Sequence, residues 1–500
     1  MKKPIQKVIT LVLAVFMALS FVGMAACTNR TPAATTTPST GDDNKKDEAA
    51  PPDDIAPPPE ETTEGQAEDE TINLVYMTGV SPETLNQLLE RYKTIAPNVE
   101  FTIIQMPPGG EENLAKFDGA VASGQQIDLF DVGGGTGVSR PRAFSGTILP
   151  LDEYIENAGI DMEKTFVPGS DFTCAFVFGD EESRHWYTLP MSLTLYPVYY
   201  NKTMFDAANI PAPSDDWTFE DLRSVAKQLT SGSGVNKVFG SWIPVDWGWF
   251  AGVPAQLAGW EAYREEDGKR FANFDDERLI KTIEMYYNMS VVDESNPSAT
   301  EINVSKLDMV DYFVAGQSAM IVGNAWCFFD LQKAKALGEM DFELGIVVLP
   351  RVVSGISKDV TAGEIGGGMS IPKTTAHPNE AFQFMLFCAL DCADIYRALP
   401  ASSEADMDAV LGYLGSYFDE DGKKYENLFT REELDYYMRE NREGFKSYYQ
   451  MKEDEYIGPL WVVLATEVNN VMTDAKTIDQ AIADMMIEGQ KEIDKLEASQ

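Results

Sequence analysis

The sequence predicts an α/β protein built on a parallel β-sheet with helices on both faces, in a chain long enough for two domains. The folded part opens with three apolar strand patterns, at residues 74–77, 99–104 and 127–132, and helical patterns separate them. Strands that alternate with helices in this way pair in parallel, because each helix carries the chain back across the sheet. About 430 of the 500 residues follow the first 70, and a second α/β region begins near Val198. That length suffices for two domains of ordinary size.

The first helix has clear start and stop signals. Ser81 occupies the N-cap position and Pro82 the first helical position, where the missing proline N–H costs nothing. Pro97 ends the helical pattern. Apolar residues recur between them at i, i+3, i+4 and i+7, namely Leu85, Leu88, Leu89 and Tyr92. The spacing predicts one buried helical face.

The second region carries local signals of the same kind. Thr218 and Asp221 form a variant of the capping box and predict a helix start. Asp267-Gly268 predicts the turn of a surface hairpin. Thr477 predicts the N-cap of a C-terminal helix.

The N-terminus has the parts of a secretory signal. Lys2, Lys3 and Lys7 precede an apolar run over residues 8–26, and Cys27 follows directly. Residues 24–27, MAAC, resemble a bacterial lipobox, in which processing makes the cysteine the first mature residue and attaches acyl chains. We expect a signal peptide at residues 1–26 and lipidation of Cys27. The alternative is an uncleaved transmembrane anchor, and both place the rest of the chain outside the cytoplasm.

Residues 27–70 predict a disordered, acidic tether rich in proline and threonine. Residues 28–70 hold 12 acidic against 3 basic side chains and almost no large apolar ones. Such a composition buries too little apolar surface to offset the loss of chain entropy.

Composition excludes several classes of function. The net charge of −41 argues against nucleic-acid binding, which uses basic faces. His185 and His377 are the two histidines of the chain, so a histidine-rich metal site is excluded. Cys388 and Cys392, four residues apart in a predicted helix, are interpreted as small core residues. The redox state of Cys174, Cys327, Cys388 and Cys392 stays open.

Several segments, in this order, resemble the family 1 extracellular solute-binding proteins, the group that includes maltose-binding protein. They are AVASGQQIDLF at residues 120–130, LP…YYNKTMF over residues 189–205, WTFEDL at residues 217–222, FVAGQSAMIVGNAW at residues 313–326, GIVVLP at residues 345–350, HPNEA at residues 377–381 and the C-terminal stretch over residues 459–496. The fourth is the most specific and is similar to the family pattern F-x-x-G-x-x-A-M-x-x-x-G-x-W. Met24 in the lipobox and Ile127 in the first segment depart from the usual residues.

The resemblance implies a two-lobed periplasmic-binding-protein-like clamp of type II with hinge crossovers. Lobe 1 would comprise residues 71–194 and 363–415, and lobe 2 residues 195–362 and 416–500. By the same analogy, ligand contacts line the cleft between the lobes.

Sugars present apolar C–H faces and rings of hydroxyl groups, so their sites combine aromatic plates with directed polar groups. Trp326 ends the signature segment and is our first candidate plate, and Trp461 matches a family position that often lines the site. We expect at least one of Trp247 and Trp249, in a glycine-containing aromatic loop, to face the ligand. The alternative for each is a core or packed-loop tryptophan.

Polar candidates follow predicted strands or glycine turns. The side chains expected to accept or donate hydrogen bonds to sugar hydroxyls are Thr78, Asp131, Thr194, Asn324 and Glu364. An ordinary polar role in a loop is the alternative for each. Gly133 and Gly134 open a glycine-rich loop that lacks the full dinucleotide spacing, and we interpret it as a cleft-lining loop with free backbone N–H groups.

We therefore expect a non-enzymatic, extracytoplasmic lipoprotein that binds a carbohydrate and delivers it to an ABC importer. Its partners would be the sugar, the permease subunits and the membrane through its lipid anchor, with the protein itself a monomer. No cofactor, metal or catalytic residue is expected. Two alternatives remain, an exported carbohydrate-active hydrolase with Asp131 and Glu364 as its carboxylates, and a surface sensor or adhesin that uses the same clamp.

Overall fold

The computed structural model describes residues 71–107, 111–131, 136–177, 184–245, 248–306, 308–352, 363–419, 422–442 and 456–498. The predicted signal peptide, Cys27 and the tether lie outside the described residues.

The elements up to β7, in chain order, are β1 (Ile72–Thr78), α1 (Pro82–Lys93), β2 (Val99–Gln105), α2 (Glu111–Ala122), β3 (Leu129–Asp131), α3 (Thr136–Phe144), α4 (Asp152–Ala158), α5 (Met162–Thr165), α6 (Ser170–Cys174), β4 (Ala175–Phe176), β5 (His185–Trp186), β6 (Pro190–Leu195) and β7 (Val198–Asn201). The next elements are α7 (Lys202–Ala207), α8 (Phe219–Leu229), α9 (Gly252–Leu257), β8 (Tyr263–Glu266), β9 (Lys269–Ala272), α10 (Glu277–Tyr287), α11 (Ala299–Ser305), α12 (Met309–Val314), β10 (Met320–Val322), α13 (Ala325–Leu337) and β11 (Leu344–Val347). The last are β12 (Gly363–Gly367), β13 (Met369–Ser370), α14 (Pro378–Asp391), α15 (Ala393–Tyr396), β14 (Leu399–Pro400), α16 (Met407–Leu414), β15 (Tyr417–Phe418), β16 (Lys424–Tyr425), α17 (Arg431–Arg442), α18 (Ile457–Met472) and α19 (Ile478–Glu497). Short 3-10 turns span Gly234–Asn236 and Gly248–Ala251, and a π-turn spans Asn288–Val292.

The first sheet has the strand order β13-β3-β1-β2. Strand β1 pairs in parallel with β2 and with β3, which confirms the parallel sheet predicted from the opening βαβ pattern. The third strand begins two residues later than predicted, at Leu129. Just before it, the Asp128 carboxylate accepts a hydrogen bond from the Val75 backbone N–H at 2.7 Å and another from the Thr375 hydroxyl at 2.7 Å. The Asp128 backbone N–H donates to the Val75 carbonyl at 2.8 Å.

The second sheet has the order β10-β7-β11, with both outer strands antiparallel to β7. Helix α8 begins beside it, at the capping box of Thr218 and Asp221 that the sequence predicts. The Trp217 indole N–H donates to the Val348 carbonyl at 2.8 Å and attaches this helix start to the segment after β11.

A third sheet, of order β12-β6-β14, contains the segments that connect the other two. Strand β6 leads into β7 of the second sheet, and β12 leads from β11 directly into β13 of the first sheet. Strand β14 follows α15 and pairs with the other side of β6. The three connecting strands are therefore hydrogen-bonded to one another, β6 in the middle and antiparallel to both neighbours.

Aromatic contacts fix helices onto the sheets. The ring of Phe384 on α14 receives Tyr76 from β1 at a centroid distance of 5.8 Å and Tyr92 from α1 at 4.9 Å. Phe328 on α13 stacks on Tyr437 of α17 at 4.7 Å and on Phe429 at 5.0 Å. Edge-to-face and offset contacts of this kind add to the stabilisation from apolar burial.

Other local predictions are also confirmed. Ser81 caps α1, Thr477 caps α19 through a capping box, and Asp267 and Gly268 form the turn of the β8–β9 hairpin with positive φ at both residues. The cysteines predicted to be core residues, Cys388 and Cys392, are buried, and so are Cys174 and Cys327. Within the described part of the chain, no helix combines the length and apolarity needed to cross a bilayer.

Candidate functional site

The carboxyl ends of the parallel strands place three polar residues along one edge of the first sheet. Thr78 ends β1, and it is in register with Gln105 at the end of β2 and with Asp131 at the end of β3. Open α/β sheets bind ligands beyond this edge. Two of the predicted site residues, Thr78 and Asp131, are therefore neighbours.

Hydrogen bonds hold the carboxylate of Asp131 at this edge. Its Oδ2 atom accepts from the Tyr76 hydroxyl at 3.3 Å and from the Thr78 hydroxyl at 3.4 Å. Asp131 is 9% exposed and Thr78 is 0% exposed. Burial, and then the charge of Asp131, raises the pKa of Tyr76 well above its ordinary value, so its hydroxyl stays protonated and acts as a donor.

The connecting strands carry the next predicted pair. Thr194 on β6 is half-buried and lies in register with Glu364 on β12. Between β12 and β13, Gly368 packs so closely on Met191 that an added Cβ would lie 1.5 Å from the Met191 sulfur. Strand β13 then pairs with β3, with Met369 opposite Asp131. One connecting segment therefore links the Thr194 position to the polar edge of the first sheet.

Two predicted positions, Asn324 and Trp249, lie near the link from β6 to β7. The Gly323 N–H donates to the Pro197 carbonyl at 3.2 Å, so the start of α13, with the half-buried Asn324 just before it, lies at this link. The Tyr196 ring meets Phe250 edge-on at 5.4 Å. Phe250 belongs to the 3-10 turn that also contains position 249.

Trp461 lies on α18, which packs against the same 3-10 turn. Its ring is partly buried, meets Trp260 edge-on at 6.2 Å, and rests on Gly252, where an added Cβ would lie 2.2 Å from the ring. The indole N–H of Trp461 is shielded from solvent and donates to no acceptor among the described residues. A buried donor without an acceptor is costly, so it is a candidate contact for a ligand.

The remaining predicted site residues cannot be placed. Gly133, Gly134 and Trp247 lie outside the described residues. The side chains of Trp249, Trp326 and Glu364 also lie outside the described part of the structure. Their proposed contacts stay predictions.

Two observations on the described residues concern metal binding and nucleophilic chemistry. In the described ranges, no three His, Cys, Asp or Glu side chains converge in a way that could hold a metal ion. Burial raises the pKa of the Cys327 thiol, next to the start of α13, to about 12, so this cysteine is a poor nucleophile at neutral pH. The arrangement offers hydrogen-bond acceptors, a shielded indole donor and an aromatic face, which suit a polar, uncharged ligand with apolar faces.

Sequence reasoning missed three residues of the candidate site, namely Gln105 at the end of β2, Tyr76 and Tyr196. Tyr76 lies two residues before the predicted Thr78 on the same strand, so the two side chains share a face. This alternation could have identified Tyr76. Tyr196 precedes Pro197 in the link between two strands, and no sequence signal distinguishes its contact with Phe250 from ordinary core packing.

Comparison with known proteins gave one family match. Residues 78–391, more than half of the chain, match the family model described as bacterial extracellular solute-binding protein. A search of curated protein sequences gave no significant match.

Solved structures with the same fold include several binding proteins. An ABC substrate-binding protein from Listeria monocytogenes in complex with cycloalternan is 19% identical, with a TM-score of 0.64 over 84% of this chain and 99% of that one. The maltose/maltodextrin-binding domain from Bdellovibrio bacteriovorus bound to maltotriose is 18% identical, with a TM-score of 0.60 over 84% and 100%. A protein from Mycobacterium tuberculosis in complex with glycerophosphocholine is 16% identical, with a TM-score of 0.60 over 85% and 99%. These similarities confirm the predicted fold class, two α/β lobes joined by crossover strands.

Proposed function

Because the chain belongs to the family of bacterial extracellular solute-binding proteins, we propose that it binds a carbohydrate between its two lobes and delivers it to the permease of an ABC importer. A binding protein of this kind carries out no chemistry on its ligand. Contacts from both lobes stabilise the closed form, which is the form that docks on the permease.

One observation carries the proposal, namely that the candidate residues include both a hydrogen-bonding carboxylate and an aromatic face. Asp131 supplies an acceptor for ligand hydroxyl groups at the end of β3, next to β13, and the buried Thr78 hydroxyl donates to it. Trp461 supplies an aromatic face and a shielded N–H donor beside the turn that contacts Tyr196. An aromatic face combined with hydrogen-bonding groups suits the C–H faces and hydroxyl groups of a sugar. Two of the structural neighbours were solved with oligosaccharides bound, which supports the same class of ligand.

We also propose that the protein is a lipoprotein of the cell membrane, facing outward. The support is the sequence of residues 24–27, with Cys27 as the acylated residue, and the acidic tether that follows. Dual acylation gives stable anchoring because each buried methylene contributes about 0.8 kcal/mol. The tether allows the lobes to reach a permease while the chain stays attached.

Calorimetric titration with maltotriose, mannotriose and glycerophosphocholine tests the choice of ligand. We expect one of the two sugars to bind and, at 100 times its dissociation constant, to add about 2.7 kcal/mol of stability. Trp461→Ala should weaken that binding by at least tenfold. Trp217→Phe is the control. It removes the indole N–H that donates to the Val348 carbonyl, and it should lower stability and leave the affinity unchanged.

Three results would contradict the proposal in different ways. Binding of glycerophosphocholine alone would replace the carbohydrate by another solute. Shortened sugars after hours of incubation would indicate a hydrolase, with Asp131 and Glu364 as its candidate carboxylates. Tight binding to another protein without any small ligand would indicate a sensor or adhesin.

A further inference from the structure

A tyrosine lies directly beneath the polar edge of the first sheet. Tyr76 is 0% exposed and shares a strand face with Thr78, and its hydroxyl lies 3.3 Å from Asp131 Oδ2. We propose that Tyr76 is a positioning residue, whose hydroxyl holds the Asp131 carboxylate oriented and ionised so that it accepts hydrogen bonds from the hydroxyl groups of a bound sugar. The inference rests on the proposed function and names a residue that acts on the ligand through Asp131.

Backbone pairing of β3 fixes the position from which the Asp131 side chain extends. Asp131 is the last residue of β3 and is held between Thr78 of β1 on one side and Met369 of β13 on the other. The side chain can still rotate about its own bonds, and two hydroxyl donors on one oxygen restrict that rotation. A group held by such supporting contacts loses less entropy when it binds a ligand.

The hydroxyl of Tyr76 is separable from the packing of its ring. The ring meets Phe384 edge-on at 5.8 Å, a contact that phenylalanine would also make. Tyr92 meets the same Phe384 ring at 4.9 Å. The pKa of Tyr92 is raised to about 12, first by burial, and Asp131 is not among the causes. Tyr92 is therefore a matched control, a buried tyrosine of the same core that does not act on Asp131.

Three titratable side chains that interact with Asp131 stay neutral at physiological pH. Among the described residues, these are Tyr76 from β1, Cys388 from α14 and Tyr396 from α15. Burial raises the pKa of each of the three well above its ordinary value. A carboxylate shielded from water is stable in its charged form when hydroxyl groups donate to it, and the loss of one donor favours the protonated form.

The test is calorimetric titration of whichever of maltotriose and mannotriose binds more tightly, from pH 8 to pH 4. Tyr76→Phe should weaken binding about tenfold at pH 7 and move the acid loss of binding to higher pH. Tyr92→Phe should change neither the affinity nor the pH profile. In an Asp131→Asn background, which removes the ionisable group, Tyr76→Phe should have little further effect, because the two residues act as one unit.

Thr78→Val removes the other hydroxyl from the same oxygen, and it should shift the pH profile in the same direction if Tyr76→Phe does not fold. Tyr76→Phe with wild-type affinity and pH profile overturns the inference and leaves the proposed function intact. Additive effects of Tyr76→Phe and Asp131→Asn also overturn it, because Tyr76 would then act through packing. A wild-type protein that binds neither sugar overturns the proposed function itself.

Discussion

At the residue scale, the position of Trp461 depends on the absence of a side chain at Gly252. An added Cβ would lie 2.2 and 2.3 Å from two ring atoms of Trp461 and 3.0 Å from Leu464. The ring is wedged against Trp260 as well, so it has little room to yield. Gly252 therefore sets the position of the indole ring that is proposed to contact the ligand.

Gly252→Ala should displace the Trp461 ring, lower the free energy of unfolding by about 1–3 kcal/mol, and weaken sugar binding. Urea unfolding and calorimetric titration measure the two effects. Gly119→Ala is the matched control, because Gly119 lies inside α2 with nothing within 4 Å of an added Cβ. That control should be neutral or slightly stabilising. Unchanged stability and affinity in Gly252→Ala would show that the ring is not constrained there.

At the scale of elements, a nearly buried carboxylate ties α8 to the end of the π-turn. Asp293 is held by Arg223 and by Lys227, whose Nζ lies 3.0 Å from Asp293 Oδ1. The hydrogen bond from Arg223, and then that from Lys227, holds the pKa of Asp293 below its ordinary value of 3.8. A carboxylate with a lowered pKa stabilises the folded state above its ordinary pKa, and that contribution disappears as the pH falls through the lowered value.

Asp293→Asn should therefore lower the free energy of unfolding by about 2 kcal/mol at pH 7, and the difference from wild type should shrink below pH 4. Denaturant unfolding at pH 7, 5 and 3.5 measures it. Asp275→Asn removes the carboxylate of an exposed ion pair with Arg264 and should have little effect at any pH. A difference for Asp293→Asn that stays constant with pH would mean that packing, not charge, carries the effect.

Helix caps and hairpin turns were predicted correctly from the sequence. The capping box at Thr218, the N-cap at Ser81 and the hairpin turn at Asp267 are confirmed, because each depends on hydrogen bonds or φ angles within a few residues. The predicted start of β3 was two residues too early. The residue before the observed strand, Asp128, bonds through its carboxylate to Val75 and Thr375. Thr375 lies 247 positions away in the sequence, so no local pattern could reveal the contact.

At the scale of the whole molecule, the net charge of −41 is shared between the predicted tether and the rest of the chain, because residues 28–70 hold 12 acidic and 3 basic side chains. A net charge far from zero favours solubility. In the sequence, the predicted tether follows the residue proposed to carry the lipid, Cys27.

Cys27→Ser should release the protein from the membrane fraction and abolish its labelling with palmitate. Cell fractionation with immunoblotting and metabolic labelling measure the two outcomes. Thr28→Ala, at the adjacent position, should leave both unchanged. A Cys27→Ser protein that stays in the membrane at unchanged mass would instead support the uncleaved transmembrane anchor.

The sequence by itself determined the α/β class, the parallel first sheet, the local caps and turns, and the family resemblance, because periodicity and capping depend on neighbouring residues. The tertiary structure decided which distant segments meet. Strand β12 lies beside β6, Gly323 reaches Pro197, and the Tyr76 hydroxyl reaches Asp131 across 55 positions. Such contacts form when sheets close and helices pack, and the energy of that packing is shared over the whole core. A ligand site assembled from several segments is therefore a property of the folded chain.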